Sequence, residues 1–213
     1  EKGWDENKLD MFRRHIIQLG NSGVYVIYDE LEGKEAVTWS YLLHTVELPM
    51  EMKELPNEVQ VTGKNKAGGV SVAHLFSSAK TEQAIADTFF CAPTNWKNVT
   101  NAQGKALKYP NHWHFSSTTV PCKVARFLTV MDTHGNNRPD MKVVRNGNTV
   151  QVGDWVINCN LTEKGKAAIT VTNKSEKVSL NYDAGKKEGA TIVTDQIKGK
   201  QISKVLTDYL PDF

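Results

Sequence analysis

Apolar and polar residues alternate with a period of two through most of this chain, a pattern that predicts β-strands. Two such runs, at residues 14–19 and 24–28, flank the segment Gly20-Asn21-Ser22-Gly23, whose composition predicts a hairpin turn. A third run follows at residues 37–45, and the three together predict a meander. Asn146-Gly147-Asn148 predicts a second tight hairpin, because Gly and Asn tolerate positive φ.

Short β-rich runs continue to the end of the chain, separated by turn residues. The further predicted strands are 58–62, 70–77, 85–90, 112–118, 125–132, 142–145, 149–152, 155–160, 167–172, 178–181 and 190–194. Only two stretches, 81–87 and 196–206, are candidates for a helix, and neither has a clean amphipathic period. Frequent short strands with regular turns indicate an all-β fold, a large antiparallel β-sandwich with very little helix. A chain of 213 residues fits one such domain, spanning residues 1–213.

Charge and composition exclude several classes of protein. The 26 basic and 24 acidic residues give a net charge of +2 and no basic cluster, which argues against nucleic acid as a partner. No apolar run approaches the roughly 20 residues of a membrane helix, so membrane insertion is not expected. Cys91, Cys122 and Cys159 lack metal-ligand spacing, and we expect them to be small buried apolar residues. No cofactor is expected.

The long irregular stretch 91–111 is a candidate functional loop, because irregular connections of this length are uncommon in compact domains. It carries Trp96 beside Asn95, Lys97 and Asn98. An aromatic ring with amide and basic neighbours suits a sugar, which stacks its apolar face on the ring while the polar groups donate hydrogen bonds to its hydroxyls. The alternative is that Trp96 packs the loop against the sheets.

His112 and His114 form the sharpest pair of candidate residues. Their spacing on a strand puts both imidazoles on one face and turns Trp113 and Phe115 to the other. Two imidazoles could bind a metal or grip an anionic sugar. No third ligand stands nearby in sequence, so a metal site is not expected. We expect polar contacts with solvent or with another domain.

The other histidine candidates, His44 and His74, each lie on a strand face with apolar neighbours. A lone histidine in that setting is most often a hydrogen-bonded structural residue, since buried polar groups nearly always have partners. We therefore expect a structural role for both.

Arginines are the candidate groups for neutralising a carboxylate. Arg13 and Arg14 are adjacent on a strand and point to opposite faces, so at most one can face a ligand, and Arg138 is a third candidate. Asp29 and Glu30 close a predicted strand, where we expect them to anchor a turn.

Several segments resemble one family. They are FRRHII at 12–17, VYVIYDEL at 24–31, WSYLLHT at 39–45, YPNHWHFS at 109–116 and RFLTV at 126–130. An Arg-rich strand, a strand ending in Tyr-Asp-Glu-Leu and an aromatic strand ending in Leu-His resemble the heparinase II/III-like polysaccharide lyases. The resemblance covers most of the chain up to about residue 150.

The resemblance implies an N-terminal α/α toroid followed by a β-sandwich, with a cleft between them in which uronic-acid-containing polysaccharides are cleaved by β-elimination. In the family the toroid supplies Tyr, His and carboxylate-binding Asn or Arg groups, and a further His lies early in the sandwich region. The chain starts downstream of these segments. We therefore expect it to be the C-terminal module of such an enzyme, with no catalytic residue of its own.

The substrate-binding or inter-domain candidates are His112, His114, Trp96, His44 and Arg14. The implied partners are an acidic polysaccharide and the α/α toroid, in the periplasm or at the surface of a Gram-negative bacterium. The alternative is a stand-alone carbohydrate-binding or structural module, since sandwiches host many functions.

The isolated chain is expected to be catalytically silent on heparan, chondroitin and alginate. Without the toroid, the base, the acid and the carboxylate clamp cannot converge on a substrate. The measurement is ultraviolet absorbance of the unsaturated uronate product, and its appearance with purified chain would contradict the expectation.

Overall fold

The computed structural model describes residues 8–46, 48–87, 102–105, 112–185, 191–197 and 200–206. Within these ranges every regular element is a β-strand, and every strand pairing is antiparallel. The strands are β1 (Leu9–Gln18), β2 (Val24–Val37), β3 (Ser40–Val46), β4 (Glu51–Leu55), β5 (Glu58–Lys64), β6 (Gly69–Ser77), β7 (Thr81–Ala86), β8 (His112–Thr119), β9 (Cys122–Gly135), β10 (Val143–Asn146), β11 (Thr149–Val152), β12 (Trp155–Cys159), β13 (Ala168–Asn173), β14 (Val178–Asp183), β15 (Thr191–Ile197) and β16 (Lys200–Leu206). The predicted all-β antiparallel fold is confirmed.

The strands form three sheets. A six-stranded sheet has the order β1-β2-β9-β6-β5-β4, a seven-stranded sheet runs from β10 to β16 in sequence order, and β3-β8-β7 form a three-stranded sheet. The seven-stranded sheet is built from consecutive hairpins. The six-stranded sheet is instead assembled from distant parts of the chain, since β9 lies between β2 and β6.

The six-stranded sheet lies between the other two, and its middle is covered on both faces. The large core fills the space between the six- and seven-stranded sheets; its larger members are Val26, Tyr28, Phe76, Leu128, Val130, Ile157, Ile169, Val171 and Tyr182. The small core lies between the six- and three-stranded sheets; its members include Leu31, Trp39, Tyr41, Val61, Leu75, Phe115 and Phe127. Alternate residues of β2 and β9 therefore serve different cores.

Both predicted hairpin turns are present. Leu19 N donates to Val24 O at 2.9 Å, and Gly23 has a φ of 77°. A Cβ at Gly23 would lie 2.5 Å from the Thr133 carbonyl oxygen, so this position requires glycine. In the second hairpin, Asn146 pairs with Thr149 across Gly147, which has a φ of 58°.

The predicted meander of the first three strands is wrong. β2 ends at Val37, and β3 begins at Ser40 in the three-stranded sheet, where it pairs with β8. Trp39 lies between the two strands and is 9 % exposed. Its indole Nε1 donates to the Cys122 carbonyl at 3.1 Å, and its backbone N donates to Thr119 Oγ1 at 3.0 Å. Burial of this ring fixes the crossing from one sheet to the other.

Neither of the two helix candidates is helical. Residues 81–86 form β7, paired with β8, and residues 196–206 contribute the end of β15 and the whole of β16. Glu82, Gln83 and Ala84 are good helix formers, but the pairing of β7 with β8 outweighs this weak local preference.

The two described cysteines are free and buried, one in each core. Burial raises the pKa of the Cys159 thiol to about 12, so the group stays protonated. The predicted role of a small buried apolar residue is confirmed for Cys122 and Cys159. Cys91 lies outside the described residues.

Arg126 joins the six-stranded sheet to the seven-stranded sheet. It is 4 % exposed, and its guanidinium donates to the carbonyls of Thr162, Lys164 and Gly165 in the connection between β12 and β13. Tyr28 adds a further link between the sheets, because its hydroxyl donates to the Asn160 carbonyl at 2.8 Å. These bonds hold one irregular connection against the central sheet.

Replacing Arg126 with Met should lower the free energy of unfolding by about 2 kcal/mol, because the charge-assisted hydrogen bonds to the connection are lost. Urea unfolding measures this. Lys123→Ala, at an exposed position of the same strand, serves as the control and should change stability by no more than about 0.5 kcal/mol. An Arg126→Met chain with unchanged stability would show that the connection does not depend on this guanidinium.

Candidate functional site

Three of the six histidines of the chain lie together on the outward face of the three-stranded sheet. His44 on β3 is directly opposite His114 on β8, and their ring centroids are 6.1 Å apart. His112 lies two residues before His114 on the same strand and so on the same face. We call this face the histidine surface; it comprises Ser40, Leu42, His44, Glu82, Ala84, Ala86, His112, His114, Ser116 and Thr118.

The predicted division of β8 into two faces is confirmed. Phe115 is fully buried in the small core and Trp113 packs against it, whereas His112 and His114 are half-buried on the opposite face. His44 is exposed, and Leu42 beside it is 50 % exposed. This part of the surface is therefore open to solvent.

The side chains with hydroxyl groups lie further along the strands than the histidines, towards the other end of this surface. Ser40 Oγ and Thr118 Oγ1 are 2.9 Å apart across β3 and β8, and Ser116 lies between this pair and His114. Glu82 pairs with Thr118 at the far end. The three imidazoles thus lie at one end of the surface, with Ser116 next to His114 and Glu82 at the other end.

The expectation for the two lone histidines holds for one of them. His74 is 7 % exposed, and its Nδ1 lies 2.6 Å from Glu58 Oε1, so it is a structural residue as predicted. His44 is exposed instead of buried, because the face of β3 that carries it points away from the small core. Its apolar sequence neighbour Leu42 is exposed as well, which the alternation pattern by itself does not reveal.

Arg14 is already bound to a carboxylate. Its Nε and Nη2 donate to the two oxygens of Asp29, each at 2.7 Å, and its guanidinium lies 5.4 Å from the centre of the Tyr41 ring. The hydrogen bond with Asp29 raises the pKa of Arg14, against the opposing effect of burial. The predicted role of Arg14 toward a ligand would require this bidentate pair to open.

Arg13 points to the opposite face of β1, as predicted, and its Nη1 donates to Glu30 Oε1 at 3.0 Å. Asp29 and Glu30 therefore do not anchor a turn; both lie within β2 and bind arginines of β1 on opposite faces of the sheet. The expectation failed because β2 continues for several residues beyond these two carboxylates.

Arg138 is also paired. It donates to both oxygens of Asp132, which is fully buried, and Asp132 Oδ2 accepts a further bond from Met141 N at 2.7 Å. Burial would raise the pKa of Asp132, but the bonds from Arg138 and the Met141 backbone hold it below its ordinary value. Arg138 thus fastens the segment after β9 and is not a free carboxylate clamp.

A buried polar cluster in the large core joins Arg13, His15, Glu30 and Tyr182. Tyr182 Oη donates to Glu30 Oε1 at 2.6 Å, Arg13 bonds to the same hydroxyl, and the His15 and Tyr182 ring centroids are 4.2 Å apart. Histidine, tyrosine and arginine are the groups that β-elimination needs. However, Tyr182 is fully buried, and burial with the Glu30 contact raises its pKa to about 12. The cluster is therefore structural.

Sequence reasoning missed this cluster because Glu30 and Tyr182 are 152 positions apart along the chain. The only local signal is the pair of adjacent carboxylates in the middle of β2, Asp29 and Glu30, which are 2 % and 6 % exposed. Consecutive carboxylates within a strongly apolar strand indicate buried partners, since an unpaired buried charge is costly.

The remaining candidate, Trp96, lies outside the described residues, as does most of the loop 91–111. Among the described residues, no group of three or more His, Cys, Asp or Glu side chains is placed to hold a metal ion. No helix in the described part of the chain is long and apolar enough to cross a membrane.

Comparison with the models of known protein families gives no match for this chain. Comparison with curated protein sequences gives no match either.

The Glu30 carboxylate provides a test of the buried cluster through pH. Burial would raise its pKa, but the contacts from His15, Tyr182 and Arg13 hold it below the ordinary value. A carboxylate with a depressed pKa contributes stability above the unfolded-state value of about 4.3 and loses it as pH falls through the folded-state pKa. We expect Glu30→Gln to lower the free energy of unfolding by about 2 kcal/mol at pH 7.

The difference in free energy of unfolding between Glu30→Gln and the unmodified chain should shrink steadily below about pH 5, where the Glu30 carboxylate of the unfolded chain begins to be protonated. Urea unfolding at a series of pH values measures it. Glu163→Gln, at an exposed position, is the matched control and should follow the unmodified chain at every pH. A Glu30→Gln deficit that is independent of pH would contradict the assignment.

Proposed function

We propose that this chain is the β-sheet module of a bacterial polysaccharide lyase of the heparinase II/III-like type, which holds a uronic-acid-containing glycan for β-elimination in a cleft completed by another domain. The observation that carries the proposal is the histidine surface. It groups three imidazoles with hydroxyl side chains on an open sheet face. The sequence resemblance at residues 12–45 and 109–130 supplies the reaction class.

The chemistry of this surface suits recognition of an acidic sugar. Imidazole N–H groups donate hydrogen bonds to carboxylates and hydroxyls, and Ser and Thr hydroxyls both donate and accept. The 6.1 Å between the rings of His44 and His114 allows both to contact one sugar residue. Glu82 lies at the opposite end of the surface, so it does not compete at the histidine end.

The chain contributes binding and not the reaction chemistry itself. β-Elimination requires a base, an acid and a cation or amide that stabilises the enolate-like charge. Arg13, Arg14 and Arg138 are each bound to a carboxylate of this chain. In this proposal the base, the acid and the stabilising cation or amide therefore come from the partner domain. The accompanying location is the periplasm or the cell surface, where such polymers are encountered.

A second candidate function is a carbohydrate-binding module that acts without a lyase partner. The pairing of Arg13, Arg14 and Arg138 favours it equally, because such a module needs no catalytic group of its own. Both functions use the histidine surface in the same way. They differ in whether the parent protein contains a toroid next to this module and cleaves the polymer that it binds.

Electrophoresis of the purified chain through native gels containing heparin, chondroitin sulfate or alginate tests the binding that both functions require. We expect at least one acidic polymer to retard the chain, and neutral dextran not to do so. Combining His44→Gln, His112→Gln and His114→Gln should weaken retardation about tenfold, since several hydrogen bonds are lost together.

The matched control is Gln151→Ala, at an exposed position of the seven-stranded sheet outside the histidine surface, which should have little effect. All variants should keep their stability within about 0.5 kcal/mol, because the substituted residues lie outside the cores. Absence of retardation by every acidic polymer, or a triple variant that behaves like the unmodified chain, would refute the proposal.

A further inference from the structure

A cleft of about 500 Å³ lies where the three sheets meet. The turn between β4 and β5 forms one wall, and the end of β6 with its connection to β7 forms another. β8 contributes Ser117, and the seven-stranded sheet contributes Arg145. A cavity of this size is typical of small-ligand sites. We call it the arginine cleft.

Arg145 differs from the other four arginines of the chain. Arg13, Arg14 and Arg138 each bind a carboxylate, and Arg126 is enclosed by backbone carbonyls. Within the described residues, Arg145 has no carboxylate within ion-pair distance. A positive charge without an acidic partner at the wall of a cleft is a candidate anchor for an anionic ligand.

The guanidinium of Arg145 is held in place by the protein. Its Nε donates to the Gly147 carbonyl at 2.8 Å, its Nη1 donates to the Asn57 carbonyl at 3.0 Å, and it lies 5.2 Å from the centre of the Phe76 ring. No hydrogen bond among the described residues uses Nη2. A fixed guanidinium loses little entropy when it binds, so this arrangement favours binding through the remaining N–H groups.

The walls around Arg145 are rich in hydroxyl and amide groups. Gln83 Nε2 donates to Thr81 Oγ1 at 2.6 Å and to Ser117 Oγ at 3.4 Å, which orients its side-chain oxygen as an acceptor. Lys80 and Ser77 line the same cleft, and Leu55 and Leu161 provide apolar surface. Hydroxyls, an amide and apolar side chains together are what a sugar ring requires.

Two carboxylates also line the cleft and restrict the charge of a ligand. Glu58 is bonded to His74 Nδ1 at 2.6 Å, and Glu54 is exposed. A doubly charged phosphate would be repelled by both, whereas a single carboxylate on a hydroxyl-rich ring meets the charges of Arg145 and Lys80 and several hydrogen-bonding groups.

We propose that the arginine cleft binds a carboxylate-bearing sugar residue, with Arg145 as the anchor of the carboxylate and Gln83 and Thr81 as partners of the ring hydroxyls, while the fully buried Ser117 helps to orient Gln83. The identity of the sugar as a uronate rests on the proposed function, but the cleft is separate from the histidine surface. Ser116 and Ser117 are adjacent on β8 and point to the histidine surface and to the cleft respectively.

The test is titration of the isotope-labelled chain, followed by NMR, with tri-galacturonate and with a hyaluronan tetrasaccharide, against cellotriose as the neutral counterpart. We expect a uronate probe to shift the amides of Asn57, Ser78, Lys80 and Gln83. Arg145→Gln should weaken this binding about tenfold, as expected for the loss of a charge-assisted hydrogen bond. The affinity of Arg145→Lys should lie between those of Arg145→Gln and the unmodified chain, since an ammonium keeps the charge but cannot form the planar fork of a guanidinium.

Lys142→Gln, near Arg145 in sequence but outside the cleft, is the matched control and should bind within twofold of the unmodified chain. Because Arg145 also contacts Asn57 and Phe76, a second variant, Lys80→Gln, removes a cleft charge at an exposed position. It should weaken binding severalfold without changing the melting temperature.

The outcomes distinguish this inference from the proposed function. Shifts confined to residues around His44 and His114 would overturn the cleft site and leave the proposed function standing. Shifts at the cleft that depend on Arg145, in a chain that no acidic polymer retards, would support the cleft and refute the proposed function. Equal binding of cellotriose and both uronates, or no effect of Arg145→Gln, would overturn the inference.

Discussion

Burial of the middle of the six-stranded sheet on both faces is the constraint that organises the rest of this protein. Each of its inner strands has to supply two cores at once, so Tyr28 enters the large core and Leu31 the small one. The charged residues in the middle of these strands, Asp29, Glu30, Arg126 and Asp132, are buried and cannot reach water. Each must therefore find a partner within the protein, because an unpaired buried charge would cost several kcal/mol.

The charged residues of the sheet meet this requirement with one another. Arg14 binds Asp29, Arg13 binds Glu30, and Arg138 binds Asp132. These pairs hold β1 and the segment after β9 against the sheet, and Arg126 does the same for the connection between β12 and β13. The groups that the sequence offered as carboxylate clamps are thus part of the structural framework. In the functions that we propose, ligand recognition therefore falls to the histidine surface and to Arg145.

These two regions lie on opposite sides of the three-stranded sheet. β8 links them, because its alternate residues face outward with His112 and His114 or inward toward the small core and the arginine cleft. The three-stranded sheet is narrow, and its far face is uncovered at Leu42 and His44. In the functions that we propose, a glycan held at the edge of this sheet would contact both regions.

The sequence by itself determined the fold class, both hairpin turns, the division of β8 into two faces and the opposite directions of Arg13 and Arg14. All of these follow from local rules, the period of two in a strand and the tolerance of Gly for positive φ. Only the tertiary structure decided that residues 81–86 are a strand, that β3 leaves the first sheet, that His44 is exposed, and that Glu30 meets Tyr182. Alternation distinguishes the two faces of a strand but does not identify which sheet covers each face. That depends on pairings between residues far apart along the chain, which no local pattern records.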